Sequence, residues 1–245
     1  MPAGVDRVAV VTGGSGGIGR AVCERLAQDG TAVVVAYSGS ADRAEDLVGR
    51  LTAAGARALA ARADVAEPDQ VAGVLDAAER AFGGVDVVVH TAGVMRLAPL
   101  VELDLEELDA LHRTNVRGTF VVSQLAARRV RPGGAIVNFS SSVVRLSLPT
   151  YSAYAASKGA VDAITRILAL ELRGRDVTVN AVAPGPTATP LFLDGKPEEV
   201  IERMAEQSPL ERLGRPEDVA EVVSFLAGPA RWVNGQVLYV NGGLA

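Results

Sequence analysis

Seven short runs of β-branched and small apolar residues recur along the chain, each followed by a longer stretch with helical periodicity. The runs fall at 8–11, 32–36, 58–63, 85–90, 135–139, 177–182 and 236–240, and the helical patterns between them at 18–29, 41–54, 68–82, 105–130, 151–172 and 216–226. Near-continuous rather than alternating apolarity marks strands covered on both faces. Gly30 and Gly55 stand just past helical patterns, and Pro68 and Pro216 stand near first-turn positions, where each residue type ends or starts a helix. Strand and helix in alternation imply right-handed crossovers, and so an α/β fold: a doubly wound parallel sheet of about seven strands with helices on both faces. No repeat or linker divides the sequence, which predicts a single domain over 1–245. The longest stretch without a strand signal, 183–215, is rich in Pro and Gly and holds a charged helical piece at 197–207. Long excursions of this kind are usually functional, so a substrate lid is expected over about 186–215.

Composition narrows the function classes. A chain of 245 residues with 49% hydrophobic and 22% charged residues has material for one sizeable core. A net charge of −5 argues against nucleic acid or an anionic membrane as a partner. The single cysteine, Cys23, permits no intrachain disulfide and suits a reducing, cytoplasmic setting; among apolar neighbours it reads as an inert buried thiol. Neither a signal-peptide pattern nor an apolar run of the roughly 20 residues that span a bilayer is present.

The first apolar run leads directly into Thr12-Gly-Gly-Ser-Gly-Gly-Ile-Gly19, and a helix follows. Glycines at a strand-to-helix turn permit positive φ and bring backbone N–H groups close to a pyrophosphate, while the helix N-terminus adds partial positive charge. Gly13, Ser15, Gly16, Gly17, Ile18 and Gly19 are therefore the candidate dinucleotide cradle. After the second run come Tyr37, Ser38, Gly39 and Ser40, with no carboxylate before Asp42. An acidic residue there selects NAD through the ribose 2′-hydroxyl and repels a 2′-phosphate. Its absence favours NADP(H) over NAD(H), with Ser38 and Ser40 as hydrogen-bond donors. Arg20 is either a source of positive charge for the phosphate or a solvated helix residue.

Tyr154 and Lys158 lie four residues apart on a predicted helix and share a face. With 4 tyrosines in the chain and two lysines, Lys158 and Lys196, such a pair is expected by chance only about 0.03 times. A compact ammonium beside a phenol favours the tyrosinate, lowering its pKa towards working pH. Tyr154 could then exchange a proton with a carbonyl or alcohol oxygen. Upstream, the run 135–139 ends in Ser140-Ser141-Ser142, where a doubly wound sheet opens its ligand crevice.

The glycine pattern, a serine ahead of Tyr-x-x-x-Lys, and Asn115 in a long helix together resemble the short-chain dehydrogenases/reductases of single-domain, Rossmann-like type. Within that family the chain looks most similar to 3-oxoacyl-carrier-protein reductases. The similarity extends to Asn180-Ala-Val-Ala-Pro-Gly185 and to the tail from Asn234 to Gly243. The resemblance implies Tyr154 as acid/base and Lys158 as the holder of the cofactor ribose. It implies Ser141 as substrate-orienting residue, with Ser142 the alternative in the triple serine, and Asn115 as anchor of a relay water. Asp64 and Val65 would contact adenine, although Asp64 also suits a turn cap. Thr91, Ala92 and Gly93 would line the cofactor, and Pro184, Gly185, Thr187 and Thr189 would meet its nicotinamide end.

One departure stands out: the family usually carries Asn-Asn-Ala-Gly where this chain has His90-Thr91-Ala92-Gly93. His90 reads as a structural donor, and no metal is indicated. Met95, Leu146, Leu148, Tyr151, Phe192 and Leu193 are candidates for an apolar substrate pocket. The expected activity is NADPH-dependent transfer of hydride between nicotinamide and a ketone or secondary alcohol. An acyl-carrier or CoA thioester, an aromatic ketone, a sugar, or an alcohol oxidised in reverse are all open as substrates. A dinucleotide sensor without chemistry is the rival reading, disfavoured by the complete proton-transfer set. The resemblance further implies a homotetramer.

Overall fold

The computed structural model describes residues 7–245; the first six residues of the predicted domain lie outside that range. Seven parallel strands form one sheet in the order β3-β2-β1-β4-β5-β6-β7. They are β1 (Val8–Thr12), β2 (Ala32–Tyr37), β3 (Ala58–Arg62), β4 (Val87–His90), β5 (Ala135–Phe139), β6 (Thr178–Pro184) and β7 (Val237–Val240). The order reverses between β1 and β4, and there the carboxyl ends of the strands open a crevice.

Residues alternate between the two faces of each strand, and both faces are buried. Val8 and Val10 of β1, with Val34 of β2 and Val88 of β4, pack under α3 (Pro68–Phe82), α5 (Gly118–Arg129) and α7 (Ser152–Glu171). Ala9 and Val11, with Val33, Val35 and Val89, pack under α1 (Gly17–Gln28), α2 (Ala41–Ala53) and α10 (Pro216–Ala227). Double burial explains why these strands read as unbroken apolar runs. Cys23 lies fully buried in the second layer, with its thiol pKa pushed up by desolvation.

The helix expected over 105–130 is not continuous. It comprises α4 (Leu105–His112), a π-helical turn (Arg113–Arg117) and α5. Between the catalytic strands and α10 lie three further helices: α6 (Val143–Leu146), α8 (Pro190–Leu193) and α9 (Glu198–Glu206). The last two occupy the predicted lid. Its ends are tied together, because Ala188 N–H donates to Gly214 O at 2.9 Å and Gly214 N–H donates to Pro186 O at 2.9 Å. No helix among the described residues is long and apolar enough to cross a membrane.

Candidate active site

The glycine turn between β1 and α1 floors a cleft of about 470 Å³ at the sheet's switch point, within the usual range for cofactor sites. All six predicted cradle residues line it, as do Tyr37, Ser38, Ser40, Asp64, Val65, Thr91, Ala92, Gly93 and Thr189. Side chains are excluded from the turn by close approach. Gly13 has φ +67°, and a Cβ there would lie 2.9 Å from Ala92 N, while one on Gly19 would collide with the Gly13 carbonyl. A Cβ on Gly17 would meet Thr189 Cγ2 at 2.7 Å, so the glycine turn and the segment 186–215 touch directly. A cleft with bare backbone at a helix N-terminus fits a dinucleotide pyrophosphate.

The positive charge of the cleft does not come from Arg20. Its guanidinium pairs with Glu24 at 3.3 Å and Asp46 at 3.2 Å, and it is absent from the cleft lining. Arg43, in the first turn of α2, lines the cleft together with Ser38 and Ser40. Ser40 caps α2, its Oγ accepting the Arg43 N–H at 3.4 Å. Asp64 lines the cleft and caps a turn: its carboxylate accepts from Ala66 N–H at 2.9 Å and pairs with Arg113 at 2.8 Å.

A second cavity of about 150 Å³ adjoins the cleft and shares Ile18, Thr91, Gly93, Thr189 and Leu191 with it. Ser141, Tyr154 and Lys158 line it, and so do Pro184, Gly185 and Thr187. Ser140 and Ser142 line it too, and most of the remaining wall is apolar, including Met95, Val143, Leu146, Leu148, Tyr151, Phe192 and Met204. Of the predicted pocket residues only Leu193 is missing from it. Met204, on α9, was not foreseen, since a methionine on a charged helix carries no pocket signal.

Helix α7 presents Tyr154 and Lys158 to this cavity one turn apart, with Nζ 5.7 Å from the phenol ring centroid. Burial dominates both groups. The phenol is pushed up to about 12, with the Ser141 hydroxyl pulling it down. The ammonium is drawn down to about 8, with Asp162 opposing. Lys158 Nζ donates to the Phe139 carbonyl at 2.8 Å, and desolvation of the phenol outweighs the lowering that a neighbouring ammonium exerts. Tyr154 is thus a protonated acid at neutral pH. Tyr151 packs edge-on against it, ring centroids 6.5 Å apart.

The serines separate clearly. Ser142 Oγ donates to Ala183 O at 3.3 Å and accepts from Asn241 Nδ2 at 3.2 Å, so it braces the strand end. Ser141 Oγ accepts from Val143 N–H at 3.4 Å, lines the cavity with Tyr154 and pulls the phenol pKa down. Asn115 is buried in the π-helical turn. Its Oδ1 accepts from Val94 N–H at 2.9 Å, and its Nδ2 donates to Val94 O at 2.9 Å and to Ser157 Oγ at 3.1 Å. That amide is fully engaged, which leaves its main-chain carbonyl, already bonded by Thr119 Oγ1 at 2.6 Å, as the group able to take a water. Gly93 fits between these groups: a Cβ there would stand 3.3 Å from Asn115 Oδ1 and 3.4 Å from Lys158 Nζ. His90 is buried, with Nδ1 2.7 Å from Thr12 Oγ1, and burial together with Lys158 holds its pKa down at about 3. No cluster of three metal-ligating side chains occurs among the described residues.

A doubly wound sheet with a glycine-lined dinucleotide cleft and a Ser/Tyr/Lys-floored cavity defines a nicotinamide-dependent oxidoreductase. Residues 13–245 match the family model described as enoyl-(acyl carrier protein) reductase. The chain is 47% identical to a short-chain type dehydrogenase/reductase of Picea abies, over 97% of this chain and 92% of the relative. It is 42% identical to an NADPH-dependent aldehyde reductase-like chloroplastic protein of Arabidopsis thaliana, over 97% and 93%. A short-chain dehydrogenase of Burkholderia cenocepacia, solved in complex with NADP, superposes with a TM-score of 0.91 at 40% identity, covering 98% of both chains. The chain belongs to the short-chain dehydrogenase/reductase family.

Proposed function

We propose that the protein is an NADPH-dependent reductase of ketones or aldehydes carrying an apolar substituent. The observation that carries this reading is the meeting of the Ser141 hydroxyl and the protonated Tyr154 phenol at the floor of an apolar cavity continuous with the cleft. Ser38, Ser40 and Arg43 support a 2′-phosphate at the adenosine end, in keeping with the NADPH and NADP named for two of the relatives. Bound in the cleft, the cofactor supplies hydride to the carbonyl carbon. Ser141 and Tyr154 hold the carbonyl oxygen, and Tyr154 gives it a proton as negative charge develops there. The Lys158 ammonium stabilises the phenolate left behind, and the Asn115 carbonyl anchors the water that returns the proton.

The segment 186–215 serves as a lid, hinged on the Thr187–Gly214 bridge and resting on Gly17 through Thr189. Amide exchange in the lid should slow when cofactor and substrate bind. A homotetramer is supported by exposed Leu105 and Phe120 on α4 and α5, and Ile167 and Leu170 on α7; light scattering would return a monomer mass if this is wrong. The buried Cys23 thiol supports residence in a reducing compartment, cytoplasmic or, as for the Arabidopsis relative, chloroplastic.

The deciding experiment follows NADPH oxidation against aliphatic aldehydes, aryl ketones, quinones, sugars and β-ketoacyl thioesters, with NADH in parallel. Turnover of apolar carbonyls with NADPH is the expected result. Preference for NADH, or for sugars, would overturn the reading.

A further inference from the structure

The second lysine of the chain takes no part in that chemistry, yet it is held in a specific geometry. Lys196 lies just beyond α8, and its Nζ donates to the Phe192 carbonyl at 2.6 Å while standing 4.7 Å from the Phe192 ring centroid. The Phe192 N–H is bound in turn by Thr189, to its carbonyl at 3.0 Å and to its Oγ1 at 3.3 Å. Phe192 is therefore fixed at its N–H, its carbonyl and its ring. Such fixing is needed, because a four-residue helix does not hold itself and a half-buried aromatic side chain has several staggered rotamers open to it.

The ring so fixed is part of the apolar cavity wall, alongside Met95, Leu146, Tyr151 and Met204. Lysine suits the task in a chain that otherwise takes its positive charge from arginine. A compact ammonium on a flexible stem can reach back one turn and address a carbonyl and a ring face together. A planar guanidinium stacked on the ring would direct its donors away from the carbonyl.

We propose that Lys196 is a specificity-determining positioning residue, clamping Phe192 as the outer wall of the cavity and thereby limiting the size of the group attached to the substrate carbonyl. This rests on the reading of that cavity as the substrate site. A pocket of about 150 Å³ bounded by one clamped aromatic ring discriminates by bulk, since each misfitting methylene is felt in kcat/KM.

The test compares kcat/KM for a small aliphatic aldehyde and a bulky aryl ketone in wild type, Lys196→Met, Lys196→Arg, Phe192→Leu and the double variant Lys196→Met/Phe192→Leu. Lys196→Met should raise the bulky-to-small ratio by about three- to tenfold, through KM, and Lys196→Arg by less. NADPH affinity should not move. In the Phe192→Leu background the same lysine change should alter the ratio by less than about 1.5-fold, because Lys196 acts through the ring. An unchanged ratio in Lys196→Met, or an equal change with and without Phe192, overturns the proposal. Calorimetric binding of unreactive amides of matching size gives a readout without turnover. A shift there in a protein that reduces no carbonyl would keep the clamp and reject the reductase reading.

Discussion

Thr12 Oγ1 and His90 Nδ1 lie 2.7 Å apart, joining the ends of β1 and β4 at the point where the sheet order reverses. The imidazole is buried, Nε2 has no partner among the described residues, and Lys158 stands near enough to oppose a second charge. His90 is accordingly neutral in the folded protein.

That neutrality makes the fold sensitive to acid. With a pKa of about 3 in the folded state against an ordinary 6.5, the unfolded chain binds the extra proton between these values. The contribution of His90 is whole above pH 6.5 and is lost as pH falls towards 3. At pH 5 the loss is about 2 kcal/mol. Urea melts of wild type and His90→Asn at pH 7 and pH 5 should show the variant losing less between the two, and parallel losses would refute the assignment.

Serines 141 and 142 should part company on substitution. Ser141→Ala should lower kcat by about tenfold or more through loss of a donor to the developing oxyanion. Ser142→Ala, which frees Asn241 and the Ala183 carbonyl, should cost about 1 kcal/mol of stability and much less in rate. Steady-state kinetics alongside thermal melts separate the two.

Tyr154→Phe removes the acid and keeps the ring packed against Tyr151. Turnover should fall by about 10²–10⁴-fold, while fluorescence titration shows NADPH bound as in wild type. Retained turnover would exclude the phenol as the proton donor.

Cofactor choice should respond to Arg43 and not to Arg20. Arg43→Ala is expected to weaken NADPH by about 10- to 100-fold, the worth of a charge-assisted contact, and to leave NADH nearly unchanged. Arg20→Ala breaks only the pairs to Glu24 and Asp46. Equal NADPH constants for Arg43→Ala and wild type would place the phosphate elsewhere.

The strands were legible because burial on both faces turns each into an unbroken apolar run. Their bounds shift by up to two residues, most at β4, which begins at Val87 and not at 85, and at β6, which ends at Pro184 and not at 182; the Asp86 side chain, just ahead of β4, accepts the Val8 N–H at 2.7 Å. The cradle and the Tyr154–Lys158 pair were equally plain, being local in sequence. What escaped depended on distant contacts. The π-helical turn follows from Asn115 bonding Val94, 21 positions away, among residues that individually suit an α-helix. Arg20 adjoins the glycine turn in sequence, yet helix α1 turns it towards α2, from which Arg43 reaches the cleft. Ser142 is distinguished from Ser141 by the Ala183 carbonyl and Asn241, 41 and 99 residues on.

The distribution of the two lysines has a practical side. Lys158 is 6% exposed at the floor of its cavity, whereas Lys196 sits half-buried on the outer segment 186–215. An amine-selective acylating dye should therefore mark the folded molecule at Lys196 ahead of Lys158. A fluorophore placed there would report whether the segment 186–215 moves when cofactor and substrate bind, with no engineered cysteine required.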